Sequence, residues 1–233
     1  MTASDAKQKL NSLASPERAL LAARFFKTGP GQYGEGDIFI GVNVPTVRKL
    51  AREFREMEVG EVFALLRSPI HEERLLALLI LVLQVNKAGD VDRKVVYHLY
   101  WAHIPFVNNW DLVDTSAPAL VGAYLIDKSR KPLITMAKSK SLWERRIAIV
   151  ATQHFIRQGE FEDTLKISRM QLADKEDLIH KATGWMLREV GEKDQATLVE
   201  FLEEHAASMP RTMLRYAIEH FPPEARRSYL AMK

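Results

Sequence analysis

Helical periodicity runs through almost the whole chain, and one motif recurs within it. A basic residue followed by a small, apolar run appears four times, as Arg74-Leu-Leu-Ala-Leu, Arg146-Ile-Ala-Ile-Val, Lys181-Ala-Thr-Gly-Trp and Arg215-Tyr-Ala-Ile. The separations are 72, 35 and 34 residues, so the first spans two units of 36 and the skipped register falls at residue 110. A period of about 35 residues with two helices per unit is the signature of an α-solenoid. A single helix pair cannot bury its apolar face, so pairs stack, and one helix of each repeat lines the concave side. The expectation is an all-α solenoid whose basic residues share that face.

Helix-start signals support this reading. Ser15-Pro16-Glu17 offers a hydroxyl cap followed by proline at the first helical position, where its missing N–H is not needed. Ser68-Pro69 predicts a second start of the same kind, leading into an all-round apolar and therefore central helix. Further helices are expected over residues 90–103, 109–127, 141–158, 160–172, 175–192, 195–207 and 211–220, with a last one from Pro222-Pro223. Residues 27–45, with five glycines and two prolines, break the pattern and predict a long ordered loop or irregular insert. Gly34-Glu35-Gly36 within it resembles the start of a dinucleotide fingerprint. Phe39 stands where the third glycine belongs, and no βαβ unit surrounds it.

Length and composition set outer bounds. The 233 residues suit one repeat domain spanning 1–233, and 47% hydrophobic with 27% charged residues is a globular balance. The longest apolar stretch, residues 75–83, is far shorter than the ~20 residues a spanning helix needs. The opening MTASDAKQKL has no apolar core of a secretory signal, so a cytoplasmic protein, nucleoid-associated when on DNA, is expected. The absence of cysteine excludes disulfides, thiolate metal sites and a Cys nucleophile. A net charge of +3 is too small to indicate nucleic acid unless the 33 Lys and Arg gather on one surface.

Few segments carry the residue types of chemistry. The seven histidines show no HExxH, and no Walker A, G-x-S-x-G or kinase motif occurs, so neither a metal nor a cofactor is expected. Trp110 and Asp114, four residues apart, lie on one helical face. Pro118, four further on, removes the hydrogen bond to the Asp114 carbonyl and predicts a kink there. A carboxylate beside a large aromatic surface at a helix distortion suits a reactive site. On these residues alone, a helix start capped by Asn109 or Asp114 and anchored by Trp110 is the better fit. Two later segments bear on the choice. Trp143-Glu144-Arg145-Arg146 opens one inner helix, and Gly184-Trp185-Met186-Leu187-Arg188-Glu189 lies in the next. Gly184 inside a helix costs about 1 kcal/mol relative to Ala, which points to close packing or ligand approach. Trp101 reads as core.

Taken together, W-D-x-V-D (Trp110 to Asp114), W-x-x-R-x-A-I (Trp143 to Ile149), K-A-x-G-W-x-L-R-E (Lys181 to Glu189) and G-V-x-V-P-x-x-R (Gly41 to Arg48) resemble the AlkD-type alkylpurine DNA glycosylases, built from HEAT-like repeats with a concave DNA-binding face. The resemblance implies hydrolysis of the N-glycosidic bond of cationic N3- or N7-alkylpurines in duplex DNA, without a flipped-base pocket, by a monomer needing no cofactor. Trp110, Asp114 and Trp185 fall on the family's catalytic aromatic–carboxylate–aromatic positions. Arg146 and Arg188 fall on basic positions of the DNA-facing surface, with Lys181 beside them, and Asn43 and Arg48 at its N-terminal end. Two departures are visible: the insert before Gly41 is longer than in a known member, and Phe25 stands where that member has tyrosine. The competing readings are a helical-repeat protein scaffold and a relative that binds DNA structures without chemistry, in which the tryptophans are core anchors.

Overall fold

The computed structural model describes residues 1–87 and 92–232. It is all-α. The helices are α1 (Ala3–Asn11), α2 (Pro16–Phe25), α3 (Val44–Glu53), α4 (Val59–Leu66), α5 (His71–Asn86), α6 (Arg93–Ala102), α7 (Trp110–Ala117), α8 (Ala123–Leu125), α9 (Lys131–Ala137), α10 (Leu142–Ala151), α11 (Gln153–Arg157), α12 (Glu162–Gln171), α13 (Asp177–Lys193), α14 (Gln195–His205), α15 (Arg211–Ala217) and α16 (Pro223–Ala231). Among the described residues β-pairing is confined to one parallel bridge, Ile38 with Ile70. None of the described helices is long and apolar enough to cross a membrane. The helix expected from residue 90 begins at Arg93, and its predicted start lies outside the described residues.

The chain forms two compact units, Met1–Leu120 and Val121–Lys233. In the first, α5 is central and packs on α3, α4, α6 and α7. Its residues 75–81 are all buried, as the all-round apolar sequence requires. In the second, α10 packs on α13 and α13 on α15, a sequential stack of the kind a solenoid uses. The recurring basic residues take nearly the same place in their helices. Arg146, Lys181 and Arg215 are each the fifth residue of α10, α13 and α15, and Arg74 is the fourth of α5. The fifth residue of α7, at the skipped register, is Asp114. The expectation of a shared basic surface needs correcting at two positions, because Arg74 and Arg146 are buried.

Two sequence signals resolve differently from their first reading. Ser15 caps α2 as expected, its hydroxyl accepting from the Arg18 N–H. Ser68-Pro69 does not open α5. Pro69 lies in a bend, Ile70 is extended, the His71 N–H donates to the Ile38 carbonyl at 2.8 Å, and the helix starts at His71. The expected 109–127 helix forms, with Pro118 accommodated in a π-turn over Pro118–Gly122 rather than by a break at Asp114. A widened turn is a common way to absorb a missing N–H inside a helix. The boundary between the two units falls within this turn.

Gly184 answers to close packing. A Cβ on it would lie 2.4 Å from the Met213 carbonyl oxygen and 2.5 Å from the Tyr216 Cβ, so α13 and α15 meet at backbone distance. Helix propensity alone would make Gly184→Ala stabilising by about 1 kcal/mol, but a backbone carbonyl cannot move aside as a side chain can. The expected outcome is a net loss of about 2 kcal/mol or more in urea unfolding. A gain in stability would show that the two helices separate at little cost.

Candidate active site

The site in the first unit is built on the opening turn of α5. His71, Glu72, Glu73 and Arg74 are four consecutive ionisable residues, all buried. Buried charge is tolerated only when paired or fully hydrogen-bonded, and each of the four has such partners. Glu73 pairs with Lys7 at 3.5 Å. Glu72 accepts backbone N–H bonds from Ile40, Gly41 and Val42, the tightest at 2.8 Å from Gly41, and so fastens the end of the glycine-rich insert to α5. Gly41 is required there. Its φ is +80°, and a Cβ would lie 2.2 Å from the Ser15 carbonyl oxygen.

Asp37, from the same insert, takes up the remaining charge. Its carboxylate accepts from Arg74 Nη2 at 2.6 Å, His71 Nδ1 at 3.1 Å, Asn109 Nδ2 at 3.1 Å and Asn108 Nδ2 at 3.2 Å. Burial alone would raise its pKa. The His71 hydrogen bond, the Arg74 charge and the Asn109 hydrogen bond outweigh burial and bring it down to about 2. The other ring nitrogen of His71, Nε2, meets Asp111 Oδ2 at 2.8 Å. Carboxylates only accept, so both ring nitrogens must carry hydrogen and His71 is an imidazolium. Burial opposes that charge, but the Asp111 charge and the hydrogen bonds to Asp111 and Asp37 prevail over it and over repulsion from Arg74, pushing the pKa up to about 9.

These links converge on the start of α7. Asn109 is its N-cap, with Oδ1 accepting from the Trp110 N–H at 2.9 Å while Nδ2 donates to Asp37. Farther along, the Ser116 hydroxyl donates to the Leu112 carbonyl at 2.6 Å and therefore accepts from the buried Tyr100 hydroxyl at 2.9 Å, tying α7 to α6. Leu112, Val113, Ser116 and Ala117 are buried, whereas Trp110, Asp111, Asp114 and Thr115 form the partly exposed stripe. Trp110 and Asp114 thus share the accessible side of one helix, as their spacing predicted.

Trp110 is held by rings as well. Phe26 stacks on it at 5.2 Å between centroids, and Phe25 approaches edge-on at 5.9 Å. Phe26 stacks in turn on Phe39 at 4.9 Å, and Phe39 stacks on His71 at 4.4 Å. Phe25 is 65% exposed. A cavity of about 370 Å³ lies beside this column, lined among others by Leu21, Phe25, Phe26, Phe39, Val42 and Asp111.

At the N-terminal end, Asn43 caps α3, accepting from the Thr46 N–H at 3.0 Å, and Arg48 is exposed on the same helix. In the second unit, Lys181, Trp185 and Arg188 are partly buried at spacings of four and three along α13. Lys181 pairs with Asp177 at 2.7 Å and Arg188 with Glu219. The Trp185 indole N–H donates to Glu189 at 2.9 Å. Arg146 is buried, and its guanidinium donates to the Leu178 carbonyl, joining α10 to α13.

Asp37, Phe26, Phe39, His71 and Asp111 were not singled out from the sequence as site residues. The available signal was the run of four ionisable residues heading the central apolar helix. A turn that must be buried cannot carry four charges without a matching set elsewhere.

A sequence profile described as "DNA alkylation repair enzyme" matches residues 6–221. Among solved structures, the chain is similar to one described as "Predicted DNA alkylation repair enzyme from Enterococcus faecalis", with a TM-score of 0.72 and 18% identity over 90% of this chain and 97% of that one. No curated protein matches.

The Asn109→Asp substitution separates capping from the charge network. Aspartate caps as well as asparagine, so a simple helix cap would tolerate it. Here it replaces a donor to Asp37 with a third carboxylate. The expected result is a loss of about 2 kcal/mol or more in urea unfolding at pH 7, diminishing towards pH 4 as the new carboxyl protonates.

Proposed function

Because the chain belongs to the DNA alkylation repair enzyme family, we propose that it hydrolyses the N-glycosidic bond of cationic N3- and N7-alkylated purines in duplex DNA. The observation that carries this reading is the pairing of Asp114 with Trp110 on the accessible stripe of α7, one turn apart, with the indole stacked on Phe26 and the Trp110 backbone N–H capped by Asn109.

The chemistry suits one carboxylate. A cationic alkylpurine leaves with the electron pair of the C1′–N bond, and departure neutralises it, so no general acid has to protonate the leaving group. Ordinary glycoside hydrolysis, with a neutral leaving group, uses two carboxyl groups. As the bond breaks, positive charge develops on the sugar. Asp114, ionised, stabilises that charge and orients a water towards C1′. The water adds at C1′ and releases its proton, leaving a free base and an abasic site. Trp110 offers a π face to the cationic nucleotide, a contact of about 0.5–2 kcal/mol, and Trp185, on α13, is assigned an aromatic contact with DNA. Arg48, Asn43, Lys181 and Arg188 are assigned to phosphates, which set register and affinity rather than base identity. Arg146 is not among them: it is buried, and its bond to the Leu178 carbonyl gives it a structural task in joining α10 to α13.

Asp114→Asn is expected to lower release of 7-methylguanine from methylated duplex DNA at least about a hundredfold, with DNA binding within a few-fold of the parent. Near-normal turnover by this variant removes Asp114 from the reaction. Binding without release by the parent protein identifies a non-catalytic DNA binder instead. Arg48 is exposed and is the cleaner probe of phosphate contact than Arg146. Arg48→Ala is expected to weaken all duplexes about equally and to reduce the salt dependence of binding by about one counterion.

A further inference from the structure

We infer that His71 is the positioning residue of this site: held as an imidazolium between Asp37 and Asp111, it sets the first turn of α7 and thereby the orientation of Trp110 and Asp114. The effect on rate rests on the proposed glycosylase reaction, whereas the effect on Trp110 does not.

His71 reaches Trp110 along two routes. The polar route runs through Asp111, the next residue after Trp110, whose carboxylate accepts from Nε2 at 2.8 Å. The apolar route runs through the rings, since Phe26 lies 5.0 Å from the imidazole and stacks on the indole. The opposite nitrogen donates to Asp37, which also receives the Asn109 amide that caps α7. One ring thus ties the insert, α5 and α7 together at the point where the indole emerges. His71 is itself almost fully buried, so it acts through Trp110 and Asp114 rather than on substrate.

The link depends on charge. The groups around the ring are Asp37 from the insert, Asp111 from α7, and Arg74 and Glu72 from its own helix. Glu72 is turned to the backbone of residues 40–42, and Arg74 is spent on Asp37 and the Ser68 and Pro69 carbonyls. A neutral imidazole has one N–H for two carboxylates. Losing the proton therefore sets one ring nitrogen's lone pair against a carboxylate, and one tether breaks. The pKa of His71 is raised, so its contribution is complete below the ordinary value of about 6.5 and is lost as pH rises through about 9.

Asp111→Asn makes the proposal falsifiable. The asparagine amide can donate to Nε2 of a neutral His71, so the tether survives deprotonation. The test follows the Trp110 indole N–H resonance, assigned with Trp110→Phe, and 7-methylguanine release, both from pH 7 to 10. The parent protein is expected to show the indole signal and kcat changing together near pH 9, with both ring nitrogens of His71 protonated at pH 8 by ¹⁵N NMR. Asp111→Asn is expected to lose the alkaline change in both. His71→Gln, which keeps one donor, is expected to lower kcat by ~10- to 100-fold with KM for DNA little changed, as a misplaced catalytic group does. A single protonated nitrogen at pH 8 overturns the proposal, and so does an alkaline change that persists in Asp111→Asn. An indole transition that Asp111→Asn abolishes, in a protein that releases no base, upholds the positioning role and overturns the glycosylase reading alone.

Discussion

The buried carboxylate of Asp37 is the contact on which the first unit's site depends. Four donors meet on it, two from the opening turn of α5 and two from the segment that starts α7. Taking a carboxylate out of water costs several kcal/mol, and attraction offsets that cost only where every lone pair is used. The arrangement is therefore close to all-or-none. Without Asp37, the Arg74 guanidinium loses its carboxylate partner inside the protein and the His71 imidazolium loses one of its two. This gives the glycine-rich insert its purpose. It is an irregular arm that delivers one acid, Asp37, and one ring, Phe39, to the junction of two helices. Glu72 closes the arm by collecting three of its backbone N–H groups. A regular helix or strand, with its N–H groups already committed, could not be fastened in that way.

The parts of the fold that were legible in the sequence are those governed by neighbours in the chain. Ser15-Pro16, the all-round apolar run of α5 and the i, i+4 pair Trp110 and Asp114 depend on local rules, and those rules held. Ser68-Pro69 carried the same local signal as Ser15-Pro16 but was overruled at a distance, because the Ile38 carbonyl takes the His71 N–H and Ile70 pairs with Ile38 as extended chain. The converse error occurred at Asn43-Val44-Pro45, read as the end of a loop although it caps and opens α3. α1, α4 and α9 are seven to nine residues long, too short for a strong period. The acid–imidazole network was the least legible part. Its members lie 34 to 72 residues apart, and no periodicity links Asp37 to His71 or Asn109.

Pro118 shows how one residue can serve both halves of a helix. Without its N–H the α-helical ladder cannot continue unchanged, yet α7 does not end. The turn widens to a π-turn, and the chain regains α geometry at Ala123. The stripe carrying Trp110 and Asp114 therefore completes two regular turns before the distortion begins. Upstream, the Asn109 cap and the His71–Asp111 bond fix the helix start, and downstream the Tyr100–Ser116–Leu112 chain fixes its last turn. In the proposed reaction Asp114 gains from such rigidity, because electrostatic stabilisation of a developing cation is strongest when the stabilising charge does not have to reorganise.

The same economy of charge shapes how the protein would hold a duplex. With a net charge of +3 there is little surplus to attract DNA at long range, and several of the cations assigned to phosphates are already engaged. Lys181 is paired with Asp177, and Arg188 with Glu219. A phosphate arriving at either cation must displace a carboxylate, so the gain is the difference between two ion pairs rather than the full strength of one. Exposed pairs of this kind are worth only ~0–1 kcal/mol, which makes them easy to exchange. On the proposed reading, acids beside the basic residues lower affinity for undamaged duplex, and affinity accumulates only when several phosphates engage at once, which favours a protein that samples DNA rather than one that grips it everywhere.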